Sequence, residues 1–257
     1  MTKLRVLPQR AGSEGLFGVA IRPLVSSGFS IGPPVHHLII PSRGRPEFDA
    51  AFPNIPVLME FVRSRAGVIQ AAQPGHVIQI NYEPDKGGEA VTSLQYVTGC
   101  PSVEWAACVG AMVTSLRSVL AESVNVAVYN ILRAPRLTKY WSVNDGLKPL
   151  FEHLDLVTSA VYCRDASHDP AEVISNVITE SMRVVERPWA LQLWSVLRKR
   201  QAEPVTERQA AAIARELRAL DVVTMIAYVE AETEQQAKAE AEGWRRICAA
   251  LKAEGIR

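Results

Sequence analysis

Apolar positions in the first half of the chain alternate between two spacings, and the switches between them mark the expected elements. Gly15-Leu-Phe-Gly-Val-Ala-Ile-Arg22 is an apolar run between turn residues and predicts a first strand. Val35 and Leu38-Ile39-Ile40, flanked by Pro34 and Pro41, extend that strand or pair with it. Asn54-Ile-Pro56 opens a short helix, because proline fits the first turn, where its missing N–H is not needed. Val57, Leu58, Phe61 and Val62 follow at helical spacing.

His76 to Tyr82 alternates, with Ile78, Ile80 and Tyr82 on one face, and Pro84-Asp-Lys-Gly-Gly88 reads as a turn. Ala90 to Val97 is the expected return strand of a hairpin. Ser102 caps a helix running to about Ala121, whose stripe includes Cys108, Val109, Met112 and Leu116, and Val124 to Leu132 predicts a fourth strand. Between Gly15 and Pro135 the order is therefore strand, helix, strand, strand, helix, strand, which predicts a ferredoxin-like βαββαβ sheet.

The second half predicts a helix-rich second α+β unit. Leu154 to Cys163 reads as a strand. Asp169-Pro170 followed by Glu172 starts a helix, Trp189 to Arg200 resumes as another, and Thr206 with Gln209 caps a third. Val222 to Val229 is almost continuously apolar, as in a strand buried on both faces. Thr233 with Gln236 caps the last helix, whose stripe is Ala237, Ala241, Trp244, Cys248 and Leu251. The fold class expected is thus α+β, with a ferredoxin-like domain over 1–135. A second α+β unit spans 136–257, with a helical insertion at about 169–220.

Composition narrows the class. Apolar residues make up 48% and charged residues 21%, enough for a sizeable core. No apolar run reaches the length of a membrane span, and the first residues lack the apolar stretch of a secretory leader, so a cytoplasmic location without membrane contact is expected. Cys100, Cys108, Cys163 and Cys248 match neither a zinc site nor a CxxC pair. No metal or other cofactor is expected. His153, Asp155, His168 and Asp169 are the nearest approach to a ligand set, and the chain has no HExxH, GxSxG, GxGxxG or phosphate-binding P-loop motif. Glu230 and Glu232 flank a strand-to-helix turn, where carboxylates complement a helix dipole.

Net charge is +1, which excludes binding of nucleic acid by bulk charge alone. The distribution is less even. His36-His37 and Arg43-Gly44-Arg45 belong to a stretch punctuated by glycine and proline, and Arg22 lies upstream. Arg198-Lys199-Arg200 forms a second basic cluster. Guanidinium forks match phosphate geometry, and imidazoles move protons near neutral pH. His36 and His37 are therefore candidate catalytic residues for metal-independent RNA cleavage. Arg22, Arg43, Arg45, Arg198, Lys199 and Arg200 are candidate nucleic-acid contacts.

With a leading βαββαβ unit, a second α+β half and the His36, His37, Arg43 and Arg45 loop, the chain resembles the repeat-associated RNA-binding proteins of CRISPR systems. That resemblance implies an RNA-binding subunit of a ribonucleoprotein complex, with other protein subunits as partners and CRISPR RNA as the molecule bound or processed. A different class is a non-catalytic assembly module, for example of a type IV secretion or conjugation machine, with Trp141, Trp189 and Trp194 as interface anchors.

Overall fold

A computed structural model of the chain describes residues 3–40, 55–82, 85–86, 89–90, 102–129, 141–185, 189–198, 200–222 and 224–257. The strands are β1 (Arg5–Arg10), β2 (Ser30–Ile31), β3 (Val35–Ile40), β4 (Val77–Tyr82), β5 (Asp85–Lys86), β6 (Glu89–Ala90), β7 (Asn125–Val128), β8 (Leu156–Val161), β9 (Trp189–Trp194), β10 (Val196–Leu197), β11 (Arg200–Pro204) and β12 (Thr224–Val229). The helices are α1 (Glu14–Ser26), α2 (Ile55–Arg63), α3 (Ala66–Ala71), α4 (Ser102–Arg117), α5 (Trp141–Gly146), α6 (Lys148–Phe151), α7 (Pro170–Val184), α8 (Glu207–Ala219) and α9 (Glu234–Ala253).

The principal ladder runs β12-β9-β8-β7-β4-β3-β1-β2, and β12 pairs with β1 as well, so seven strands return on themselves. The pairings β1–β12, β9–β12, β4–β7 and β7–β8 are all parallel. Helices separate successive ladder strands along the chain, which is β/α-barrel topology. A ferredoxin-like sheet needs antiparallel neighbours, so that expectation is corrected. His76 to Tyr82 is a strand as expected, but its partner is β7 in parallel rather than a hairpin return. The short hairpin that does form joins β5 and β6. Residues 91–97, where most of the expected return strand falls, lie outside the described residues.

Two compact units divide the chain, one made of 1–35, 159–179 and 190–257, the other of 36–158 and 180–189. In the first, β1 lies in parallel register with β12, Arg5 opposite Thr224 through Arg10 opposite Val229. Its four central residues are all buried, as in a strand covered on both faces. β1 escapes the pattern reading because it is short and carries Pro8, a residue that argues against a central strand. Glu14–Ser26 is a helix, not the expected strand: Ala20 and Leu24, four apart, are its buried positions. Trp189 to Arg200 is likewise no helix. It forms β9 and then the antiparallel β10–β11 hairpin.

α8 and α9 both begin with complete capping boxes, Thr206 with Gln209 and Thr233 with Gln236. Gly255, at φ +75°, follows the end of α9 in the left-handed region that favours glycine.

In the second unit, α2 and α4 cover β3, β4 and β7. Leu38, Ile40, Leu58, Val62, Ile78, Ile80, Met112, Leu116, Val126 and Val128 form the core. Opposite faces of the same strands carry polar groups. Gln79 donates from Nε2 to Thr158 Oγ1 at 2.9 Å, and Thr158 Oγ1 donates to the Val128 carbonyl at 2.6 Å. Glu180, 2% exposed, accepts from Asn144 Nδ2 at 2.7 Å and from the Arg183 guanidinium. Arg117 pairs with Asp155, whose carboxylate also accepts from the Val126 amide. Among the described residues no helix is long and apolar enough to cross a membrane.

Candidate functional site

In a parallel β/α barrel the working end is where the strands finish, because the loops from strand to helix are free to vary there. In the first unit, β8, β9 and β12 finish at Val161, Trp194 and Val229. Side chains two apart share a face. Gln192 lies opposite Ile226, Trp194 opposite Tyr228, and Gln9 opposite Tyr228, so one face presents Gln9, Gln192, Trp194 and Tyr228.

Tyr162 joins them. Its ring centroid is 5.9 Å from that of Trp194 and 6.3 Å from that of Tyr228, and Trp194 meets Tyr228 edge-to-face at 5.7 Å. Such edge contacts suit the aromatic quadrupoles and fix the rings relative to each other. Gln192 Nε2 donates to the Tyr162 hydroxyl at 3.2 Å.

Two carboxyls stand at the same strand ends. Glu230 follows β12 directly, and the Tyr228 side chain hydrogen-bonds to it. Its pKa is raised, first by burial and then by the nearby Glu232, against the opposing pull of Arg198. Glu240 reaches up from the second turn of α9. It is 1% exposed, and its Oε1 accepts from Trp194 Nε1 at 2.8 Å and from the Glu230 amide at 3.0 Å. Its Oε2 is buried with no partner among the described residues. Burial pushes this carboxyl up to about 7.

Two glycines let the backbone close around the carboxyls. A Cβ on Gly12 would stand 2.5 Å from the Ala231 carbonyl oxygen, and one on Gly243 would run into the Ser195 carbonyl. Ser195 Oγ in turn donates to the Glu240 carbonyl at 2.9 Å.

The residues singled out from the sequence are dispersed. His36 sits at the start of β3, with its Nε2 2.8 Å from Nδ1 of His76, which immediately precedes β4. That is the end of the strands where barrels place stability rather than chemistry. His37, on the other face of β3, packs its ring 5.9 Å from Tyr129. Burial holds the His37 imidazole down at about 4, so it is neutral at pH 7. Arg22 is exposed on α1. Arg43, Arg45 and Lys199 lie outside the described residues.

Arg200 pairs with Glu203 across the β11 segment at 2.9 Å. Arg198, at the turn between β10 and β11, is the one described member of these candidates that comes close to the carboxyl site, through Glu230. Among the described residues no group of three or more His, Cys, Asp or Glu side chains could hold a metal ion.

Glu230 and Glu232 read from the sequence as helix-dipole partners, and Glu240 and Glu242 have Arg245 and Arg246 downstream to balance them. Glu242 does pair with Arg245 and Arg246. Glu240 does not, and the signal was present. It lies three residues after Ala237 and four before Trp244, on the buried stripe of α9.

No protein-family model matches the chain, and no curated protein matches it. Solved structures do. Bee venom hyaluronidase matches with a TM-score of 0.71 at 14% identity, over 96% of this chain and 99% of that one. A GH5-4 broad specificity endoglucanase from Clostridium longisporum matches at 0.55 and 8% identity, over 97% and 81%. A GH128 endo-β-1,3-glucanase from Amycolatopsis mediterranei matches at 0.51 and 12% identity, over 95% and 98%.

These matches agree with the closed parallel ladder in a TIM-barrel-like fold. They overturn the resemblance to CRISPR RNA-binding proteins, which rested on a strand order the chain does not have. With it go the RNA partner, the ribonucleoprotein role and the secretion-scaffold alternative. Trp194, expected as an interface anchor, is buried and donates to Glu240.

Proposed function

We propose that the chain is a carbohydrate-active enzyme that hydrolyses glycosidic bonds at the C-terminal ends of β8, β9 and β12. The observation that carries this reading is Glu230. It is a half-buried carboxyl at the end of a barrel strand, bonded by Tyr228 and held toward its protonated form beside a second carboxyl, Glu232. The structural neighbours, themselves a hyaluronidase and two glucanases, support the substrate class.

Glycoside hydrolysis uses two carboxyl groups whose surroundings drive their proton affinities apart. Glu230 is the acid and gives its proton to the departing glycosidic oxygen. Glu232, more exposed, is the carboxylate that takes a proton from the attacking water as its oxygen bonds to the anomeric carbon. The half-buried Tyr162 and Tyr228 rings line the same strand ends and offer faces on which a sugar can stack. A cytoplasmic setting belongs to the same reading, and Cys163 and Cys248, both buried thiols, are compatible with a reducing compartment.

Release of reducing ends from a panel of soluble polysaccharides, β-glucans and hyaluronan included, tests the proposal. Glu230→Gln is expected to lower the rate by roughly a hundredfold or more, as loss of a positioned general acid does. A panel with no turnover, or full activity in Glu230→Gln, overturns it.

A further inference from the structure

Glu240 is built into the protein in a way that packing alone does not require. A carboxyl that served only to fill space beside Trp194 would be costly there, since an ionised group with an unsolvated oxygen loses its hydration without replacement. Here Oε1 takes two donors, Trp194 Nε1 and the Glu230 amide, while Oε2 is buried with none among the described residues. An oxygen so placed is better protonated than charged. The site is also anchored on its own helix side: Ser195 Oγ donates to the Glu240 carbonyl, and Gly243 allows α9 to lie against the Ser195 backbone.

We propose that Glu240 is a positioning residue for Glu230, fixing the Glu230 amide and the Trp194 ring through Oε1 and keeping one proton within the pair at neutral pH through Oε2. It rests on the reading of Glu230 as the working carboxyl. The charged group that faces Glu240 is Glu230 itself, and Arg198 from the β10–β11 turn and Glu232 act on Glu230 in turn. Trp194 at the end of β9 and Ser195 just after it meet Glu240, and the cluster around Trp194 adds the phenols of Tyr162 and Tyr228. Two neighbouring carboxyls in this setting lose their protons as a coupled pair, the first ionisation opposing the second. Charge on Glu230 then opposes ionisation of Glu240, whose proton Oε2 holds.

The indole N–H of Trp194 points at the titrating group, so tryptophan emission reads its charge without any substrate. The full chain is titrated from about pH 5 to about pH 9, a range that brackets a carboxyl raised by burial. The wild type is expected to show a single transition with a midpoint near 7. Glu240→Gln keeps the shape and the Trp194 acceptor but cannot ionise, and it is expected to abolish the transition. Trp194→Phe removes the reporter and is expected to abolish it too, and this variant carries the test if Glu240→Gln fails to fold.

A flat wild-type titration, or a transition that survives in Glu240→Gln or in Trp194→Phe, overturns the proposal. A protein that shows the transition, loses it in Glu240→Gln and yet cleaves no glycan supports the carboxyl pair while refuting the hydrolase reading. If glycan is cleaved, Glu240→Gln is expected to remove from the kcat/KM profile the inflection near 7 that Glu240 contributes, a change that mere loss of packing would not produce.

Discussion

Gln79 and Thr158 meet through a single hydrogen bond inside the second unit, and Thr158 spends its own proton on the Val128 carbonyl. Both side chains are fully buried, so this short relay sits where water cannot substitute for a lost partner. Thr158→Val keeps the shape and removes the acceptor. The Gln79 amide then loses this acceptor, and the expected cost is about 1 kcal/mol in urea unfolding. Adding Gln79→Leu to that variant is expected to recover part of the loss, because two apolar groups no longer need each other. A double variant less stable than Thr158→Val alone would show that the relay is not what holds these positions.

Gly243→Ala tests the closeness of α9 to β9. The obstacle is backbone, the Ser195 carbonyl, and cannot swing aside as a flexible side chain would. Overpacking of this kind is expected to cost about 1–3 kcal/mol. It is also expected to disturb the Trp194 emission, since the helix carrying Glu240 must shift. Equal stability and an unchanged spectrum would contradict the close approach.

His37 gives the protein an acid-side liability. Its pKa is 6.5 in the unfolded chain and about 4 when buried. Above pH 6.5 neither state binds the proton, and stability is undiminished. As the pH falls from 6.5 toward 4 the unfolded chain takes up the proton first, and stability drops by something on the order of 3 kcal/mol. Glu240 acts in the opposite direction. Its pKa rises on folding from 4.5 to about 7, so its contribution is complete below 4.5 and is lost as the pH climbs through 7. Urea midpoints for His37→Phe are expected to fall less between pH 7 and pH 4 than those of the wild type. An identical pH dependence in both would remove His37 from the account.

His36 provides a contrast. It contacts His76 at the N-terminal side of β3 and β4. His36→Ala is expected to lower the unfolding midpoint by about 1 kcal/mol, the usual value for one lost hydrogen bond, and to leave glycan hydrolysis unchanged. Loss of hydrolysis with intact stability would restore the imidazole as a catalytic candidate.

Much of the local structure was legible because capping and periodicity act over a few residues. Thr206 with Gln209 and Thr233 with Gln236 announced α8 and α9, and the apolar run at Val222 to Val229 announced a strand buried on both faces. What failed was pairing. Nothing local to His76–Tyr82 says that its neighbour is Asn125–Val128 in parallel rather than a nearby return strand, and a turn-like Pro84 to Gly88 made the hairpin the cheaper guess.

The apolar run at Glu14–Ser26 fits either period over so short a window, and Trp189–Trp194 reads as helix until its burial on both sides is known. The site was missed for the same reason. Glu230, Tyr162, Trp194 and Glu240 are distant in sequence and come together only once parallel strands end side by side.

The register of Arg5–Arg10 against Thr224–Val229 has a further consequence during synthesis. When the first strand emerges from the ribosome, the segment it will lie against has yet to be translated. Val6 and Leu7, both inaccessible in the folded protein, stay uncovered on that edge until Thr224–Val229 has been made. Nascent chains arrested before residue 224 should therefore be cut by protease near this strand and engage chaperones, and emergence of Thr224–Val229 should end both together.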